Sequence, residues 1–382
     1  MEFIFGNHTV FQYELICGKL SGKISKKRLE KRTMDTKWLK VDKKNIDEQL
    51  LKDAGKIIKA GGLVAFPTET VYGLGGDALN PRSARKIYEA KGRPVDNPLI
   101  VHIAEFSDIE RIVSHIPETA RILAEHFWPG PMTMILNKAD CVPFETTGGL
   151  PTVAVRCPSD RIAQAFIKEA GGFIAAPSAN ISGKPSPTSA GRVYEDLSGR
   201  IDMLLDGGEC QIGLESTIID LTEVTPIVLR PGGITMEMLT QVLDAVDVDP
   251  TLLKENSHVP PKAPGMKYRH YAPKGKLTIV EGGREQVVQK INELLSQAEA
   301  EGKKTGVIGT RETVALYHAD SIKNAGDRQD EKEIAHNLYN ILREFDDEGI
   351  EMICSEAFEA KGMGQAVMNR LLKAAGHRII SV

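Results

Sequence analysis

From about residue 45 onward, apolar positions follow two alternating periods, one helical and one extended. Asn45 is placed to cap a helix whose apolar positions Ile46, Leu50, Ala54, Ile57 and Ile58 form one stripe, and Gly61 ends it. "GLVAFP" then reads as a buried strand. Asn80 followed by Pro81 predicts a cap and first turn for a helix running to about Ala90. Short apolar runs predict strands at "PLIVHI", "MTMILN", "TVAVRC", "GFIAAP", "IDMLLD", "ESTIID" and "PIVLRP". Helical patterns fall between them at 117–127, 159–170, 188–198 and 235–245. Strands interleaved with helices predict an α/β fold, a sheet covered by helices.

The rhythm breaks between 246 and 275. "NSHVPPKAPGMKYRHYAPKG" is crowded with proline, basic residues and tyrosine, and it reads as a linker or as an ordered strap over a neighbour. Alternation then resumes with strand "KLTIVEG", helix 284–299, strands "KTGVIGT" and "VALYHA", helix 331–346, strand "EMICSE" and helix 364–374. This predicts a second, smaller α/β unit. Residues 1–33 differ from both: "GKLSGKISKKRLEKR" is basic and aperiodic, an expected disordered tail or an RNA-touching arm, with Met34 as an alternative start. Gly18, Gly22 and Lys23 imitate a phosphate loop, but the spacing fails and Ile24 stands where Ser or Thr is needed.

Length and composition narrow the class. The 382 residues suit two domains, and 41% hydrophobic content supports real cores. A formal charge of -4 argues against bulk nucleic-acid affinity while leaving room for a local basic patch. The five cysteines are scattered, with no metal-binding spacing, as expected for reduced thiols in a cytoplasmic protein. No run approaches the roughly 18 apolar residues of a membrane span, and the order of charge and apolarity at the N-terminus is not that of a signal peptide.

No hydrolase elbow, zinc helix or paired-carboxylate motif is present. Small polar and cationic residues gather instead at strand ends, where an open α/β sheet forms its ligand crevice. In "FPTETVYGLGGDA", Pro67 stops a strand and Thr68, Glu69 and Thr70 follow it. Gly73, Gly75 and Gly76 suggest a tight backbone turn, although GLGG alone is a weak signal. In "EAKGRPVDNPLIVHI", Lys91 and Arg93 flank Gly92 in what reads as an extended turn with no obvious neutralising partner. Two such cations repel by about 4 kcal/mol at 4 Å and an effective dielectric of 20. Charge-assisted bonds to an anion, each about 1.5–3 kcal/mol, overcome that repulsion. "AAPSANISGKPSPTSAG" offers Ser178, Asn180, Ser182, Ser186 and Thr188 on a rigid loop after a strand. Thr152 and Arg156 lie an even number apart and share a strand face; Ser216 opens one strand and Arg230 ends another. His102, in "PLIVHI", is open to two readings, a satisfied core histidine or a ligand contact.

Taken together these motifs resemble the L-threonylcarbamoyladenylate synthase family, over about residues 40–382. "PTETVYGLG", "KGRPVDNPLIVHI", "WPGPMT", "TVAVRCP", "APSANISGKPSPT", "STIIDL" and "LRPGGI" stand in the family's order, and "PGMKYRHYAP" and "GMGQAVMNRLLKAAGHR" match its two-domain form. Residues 1–33 have no family counterpart, and Ala263 and Glu209 stand where Ser and Pro are usual. The resemblance implies a YrdC-like twisted mixed sheet covered by helices, followed by a smaller Rossmann-like α/β domain. The implied limits are a basic extension to residue 40, a catalytic domain over 41–245, a strap over 246–275 and a C-terminal domain over 276–382. It implies a nucleotidyltransferase that joins L-threonine, bicarbonate or CO2 and ATP into threonylcarbamoyl-AMP, releasing pyrophosphate, with Mg2+ held mainly by the ATP phosphates. A partner transferase, with tRNA as its substrate, would use the product on the adenosine 3′ of the anticodon.

By the same resemblance Lys91 and Arg93 are the catalytic cations. Arg93, Asn97, Thr152, Ser178, Asn180, Ser186, Arg230 and Tyr268 would hold ATP, Tyr268 closing over it from the strap. Thr70, His102, Arg156, Ala176 and Ser216 would hold threonine, Arg156 gripping its carboxylate. Truncation after Ala245 is expected to preserve the fold and weaken turnover. Two other classes remain in view: a non-catalytic module binding tRNA or double-stranded RNA, and a carbamoyl-adenylating enzyme, whose usual Cys clusters are absent here. Gly362 and Gly364 suggest either an anion-binding helix start or a close helix–sheet contact.

Overall fold

Two sheets carry the molecule, here a computed structural model that describes residues 35–252 and 271–382. The larger sheet contains β1 (Lys37–Lys40), β2 (Val64–Phe66), β3 (Gly73–Asp77), β4 (Ile100–His102), β5 (Met132–Asn137), β6 (Thr152–Arg156), β7 (Ile174–Ala176), β8 (Met203–Asp206), β9 (Thr217–Asp220), β10 (Ile227–Arg230) and β11 (Asp247–Val248). Their order is β1-β8-β2-β3-β7-β4-β6-β5-β9-β10-β11, with parallel and antiparallel neighbours mixed. Its helices are α1 (Glu48–Lys59), α2 (Pro81–Lys91), α3 (Glu118–Phe127), α4 (Phe144–Thr147), α5 (Arg161–Glu169), α6 (Ala190–Leu197) and α7 (Met236–Thr240).

The smaller sheet, order β14-β13-β15-β12-β16, is parallel throughout: β12 (Lys276–Glu281), β13 (Thr305–Gly309), β14 (Ser321–Asn324), β15 (Met352–Glu356) and β16 (Ile379–Ser381). Helix α8 (Arg284–Ala300) covers one face through Val287, Ile291 and Leu295; α9 (Glu331–Glu348) and α10 (Gly364–Ala375) cover the other. Both sheets belong to one compact unit, Met34–Val382. The basic segment 1–33 and most of the strap, Tyr268 included, lie outside the described residues. No helix among the described residues is long and apolar enough to cross a membrane.

The two faces of the larger sheet are covered unequally. On one, α1 and α5 pack Leu51, Ala54, Ile58, Ile162 and Phe166 against Val64, Phe66, Ile174 and Ala176. Further along that face the register sets Ile100 beside Ala154 and His102 beside Arg156, and there the helical cover ends. That stretch of sheet is the floor of the site described below. Family-like strand–helix alternation thus leaves a crevice at strand ends, as the interleaved pattern requires.

Several local expectations are revised. Asp47, not Asn45, caps α1, accepting from the Gln49 and Leu50 amides, so the buried stripe becomes Leu51, Ala54, Gly55 and Ile58. The GLGG stretch is strand β3 rather than a turn. A Cβ on Gly75 would stand 2.8 Å from Ile174 Cγ2 and 3.1 Å from the Phe66 ring, so glycine there permits close strand packing. "VALYHA" forms a 3-10 turn at Val314–Leu316, and β14 begins five residues beyond that turn, at Ser321. At the start of α10 the Gly364 amide donates to the Glu331 carboxylate at 3.0 Å, which occupies the proposed anion position.

Candidate active site

Helix α2 ends at Lys91 because Gly92 adopts a left-handed backbone, φ 62°, and sends the chain away. Lys91 and Arg93 therefore leave a helix terminus, not an extended turn, and both side chains are buried. Lys91 Nζ donates to the Ser178 carbonyl and to that of Asn180 at 2.5 Å. Arg93 donates through Nε to the Asn97 carbonyl at 3.2 Å and through Nη2 to that of Pro98 at 3.1 Å. Neither forms an ion pair with a described carboxylate. Burial, with Arg93 close by, holds the Lys91 ammonium well below its ordinary pKa. Burial also pushes Arg93 down, to about 10. The described hydrogen bonds of the pair all go to neutral oxygens.

The sheet floor supplies the second group. Arg156 ends β6 beside His102 of β4, and both are buried. Arg156 Nη2 lies 2.8 Å from Glu69 Oε1, a charge contact without hydrogen-bond alignment. Arg156 Nε and Nη2 and both Glu69 oxygens consequently have no hydrogen-bond partner among the described residues. His102 Nδ1 is 3.1 Å from the Ile100 carbonyl, and burial together with the Arg156 charge lowers its pKa to about 3, leaving a neutral ring. Ser216 Oγ sits 2.8 Å from Thr133 Oγ1 and receives Arg230 Nη2 at 3.1 Å; Arg230 Nε holds the Ser216 carbonyl at 3.0 Å.

The third group crosses between the sheets. Glu215, just ahead of β9, accepts from Ser186 Oγ at 2.5 Å, from the Tyr339 hydroxyl at 2.9 Å and from Arg370 Nε at 3.0 Å. Burial opposes ionisation of Glu215, but Arg370 and Arg230 outweigh it and hold the carboxyl down at about 2. Tyr271, where the described chain resumes, stacks on Tyr339 with ring centroids 5.2 Å apart.

These groups enclose a cavity with about 690 Å³ of unfilled space, partly open to solvent. Of the residues expected from the sequence, Lys91, Arg93, Ser178, Asn180, Ser186, Arg230, His102, Arg156, Ala176 and Ser216 line it. Three do not. Thr152 opens β6, four residues or about 13 Å at strand rise from Arg156, and stands outside the lining of the cavity. Asn97 is buried behind Arg93 and offers it a carbonyl. Thr70 sits behind Thr68, their hydroxyls 2.8 Å apart, and Thr68 is the residue that faces the cavity. Tyr268 lies outside the described residues.

Glu215, Tyr271, Tyr339 and Arg370 were not singled out from the sequence. One signal was available: Arg370 falls on the stripe of Ala366, Val367, Leu371 and Ala374 at helical spacing, and a charge on an apolar face announces a buried partner. Among the described residues no group of three or more His, Cys, Asp or Glu could hold a metal.

A mixed α/β sheet whose one crevice gathers Lys91, Arg93, Arg156 and Arg230 defines an α/β protein built to take an anionic ligand. Residues 56–232 match the Sua5/YciO/YrdC model described as telomere recombination, and residues 234–376 match the threonylcarbamoyl-AMP synthase C-terminal domain. The threonylcarbamoyl-AMP synthase of Pyrococcus abyssi is 51% identical over 89% of this chain and 98% of its own. That of Bacillus subtilis is 46% identical over 89% and 96%. The crystal structure of Pyrococcus abyssi Sua5 complexed with L-threonine superposes with a TM-score of 0.86 at 50% identity, covering 91% of this chain and all of that one. The chain belongs to the Sua5/YciO/YrdC family, in the form that carries the Sua5 C-terminal domain.

Proposed function

We infer that this chain is an L-threonylcarbamoyladenylate synthase: it converts L-threonine, bicarbonate or CO2, and ATP into threonylcarbamoyl-AMP and pyrophosphate. The observation that carries the reading is the buried pair Lys91 and Arg93, held among the described residues by backbone carbonyls and the Asn180 side-chain amide oxygen and opening onto a cavity that also contains Arg156. Buried cations arranged this way gain most from a polyanion, so the triphosphate is assigned to Lys91, Arg93 and Arg230. Ser178, Asn180 and Ser186 line the same cavity and complete the nucleotide site. Arg156, with spare donors, is assigned the threonine carboxylate, next to His102, Ala176, Ser216 and Thr68.

No side chain in this arrangement is needed as a nucleophile. Threonine's neutral amine attacks CO2 and loses a proton, giving a carbamate. A carbamate oxygen then attacks the α-phosphorus while the bond to the bridging oxygen breaks, and the electron pair leaves with pyrophosphate. The enzyme's share is alignment and charge compensation, and the adenylyl group it moves to the carbamate oxygen makes it a nucleotidyltransferase. Mg2+ would enter with ATP and be held mainly by its phosphates. A downstream transferase acting on the tRNA adenosine 3′ of the anticodon would consume the product. The non-catalytic RNA-binding reading is set aside, because Lys91, Arg93, Arg156 and Arg230 are buried around one cavity rather than spread over a basic surface. Pyrophosphate release that requires threonine and bicarbonate together is the expected outcome. Release at the same rate without threonine would refute it.

A further inference from the structure

Glu215 is a buried carboxylate and, being ionised, an acceptor only. Every polar hydrogen around it must therefore point towards it, and Ser186 is one of its donors, 2.5 Å away. A serine hydroxyl carries a single proton and two lone pairs. With the proton committed to Glu215, and no described donor reaching Ser186 Oγ, the hydroxyl turns acceptor lone pairs towards the cavity. Besides Arg230 of β10, two of the groups that hold Glu215 in this state come from the C-terminal domain. Arg370 of α10, fully buried, donates Nε to Oε2 at 3.0 Å and is itself fixed by Nη1 on the Pro231 carbonyl at 2.7 Å. Tyr339 of α9, also fully buried, donates to both carboxylate oxygens, at 2.9 and 3.1 Å.

We propose that Arg370 is a positioning residue for the nucleotide site: through Glu215 it sets the polarity of Ser186, so that this point of the pocket selects a hydrogen-bond donor on the nucleoside. A phosphate oxygen has no proton to offer and is excluded there, which separates Ser186 from the phosphate-binding cations. The donor groups of adenosine are the ribose hydroxyls and the exocyclic amine. The C-terminal domain thereby takes part in nucleotide choice from outside the cavity. This rests on the synthase reading above.

The test compares initial rates of threonine-dependent pyrophosphate release with ATP, 2′-deoxy-ATP, 3′-deoxy-ATP and inosine triphosphate. Loss of a hydrogen bond to a charge-supported acceptor is worth about tenfold or more. The wild-type protein is expected to disfavour one of the three analogues by about that factor. Arg370→Met should raise the KM for ATP about tenfold and erase the discrimination, leaving the KM for threonine unchanged. Tyr339→Phe, which keeps the ring and its packing, should shift both in the same direction by less, and it serves if Arg370→Met fails to fold. Asp347→Asn removes an exposed link to Arg192 between the same two halves, 2.6 Å in length, and should leave every value as in the wild type. Wild-type indifference to all three analogues, or undiminished discrimination in Arg370→Met and Tyr339→Phe, would overturn the proposal alone. Absence of any threonine-dependent release by the wild type would overturn the synthase reading and this proposal with it.

Discussion

Arg156 and Glu69 share one buried charge contact, and that contact decides how either can be tested. Removing one partner of a buried pair strands the other and costs about 3–5 kcal/mol. Arg156→Ala should therefore lose stability as well as threonine binding, and a lost titration signal alone would be ambiguous. Arg156→Ala combined with Glu69→Ala should recover most of the stability in urea unfolding while threonine binding stays absent by calorimetry. Wild-type threonine affinity in that double variant would remove Arg156 from the site. His102 gives a second residue-scale expectation with a definite sign. Its folded pKa of about 3 lies below the ordinary 6.5, so the unfolded chain binds the proton more readily. Stability attributable to its neutral form is complete above about pH 6.5 and falls by about 1.4 kcal/mol per unit as pH drops towards 3. Glu215, lowered instead from 4.5 to about 2, acts only below the range where its unfolded carboxyl is ionised. Between about pH 6.5 and 5 the slope should belong largely to His102, and His102→Gln should flatten it. Parallel curves for the two proteins would refute the assignment.

Glycines act at the scale of elements, and two of them should respond to the same change for different reasons. At Gly75 in β3 an added methyl meets Ile174 and the Phe66 ring, and overpacking of this kind costs about 1–3 kcal/mol. At Gly92 a methyl meets nothing within 4 Å, but φ 62° carries about 1–2 kcal/mol of left-handed strain. Gly75→Ala should lower the melting temperature through the sheet. Gly92→Ala should in addition shift Arg93 and weaken ATP binding, which isothermal titration can separate. Equal ATP affinities in the two variants would deny Gly92 any role in aiming Arg93. The elements themselves were largely legible: β2, β4–β10, α2, α3, α5 and α6 fall where the apolar period changes. Strand β3 was not, because period-two reading needs side chains and GLGG presents only Leu74. The α1 cap slipped from Asn45 to Asp47 because both residues can accept amide hydrogens, and only tertiary packing of Leu51 and Ile58 chooses between them.

For the whole molecule, the site residues readable in advance were those at strand ends, such as Ser216, Arg156 and Arg230. For Tyr339 of α9 and Arg370 of α10, helices packed on the second sheet, the partner Glu215 is visible only in the tertiary structure. Their presence changes the expectation for truncation after Ala245. Val71 and Leu214 share a core with Leu338, Tyr339 and Leu371, and Glu215 would lose two of its three supports. The truncated chain should unfold at a lower temperature than the full chain and expose apolar surface to a reporter dye. A melting temperature and dye response equal to those of the full chain would contradict an integral role for the second sheet. The central claim, one cavity that joins a polyphosphate nucleotide to a carboxylated threonine, is tested most directly by incubation with ATP, labelled bicarbonate and each amino acid in turn. Label should enter an adenylated product with L-threonine and with none of the others; label appearing equally with any amino acid, or with none, would refute the joined cavity.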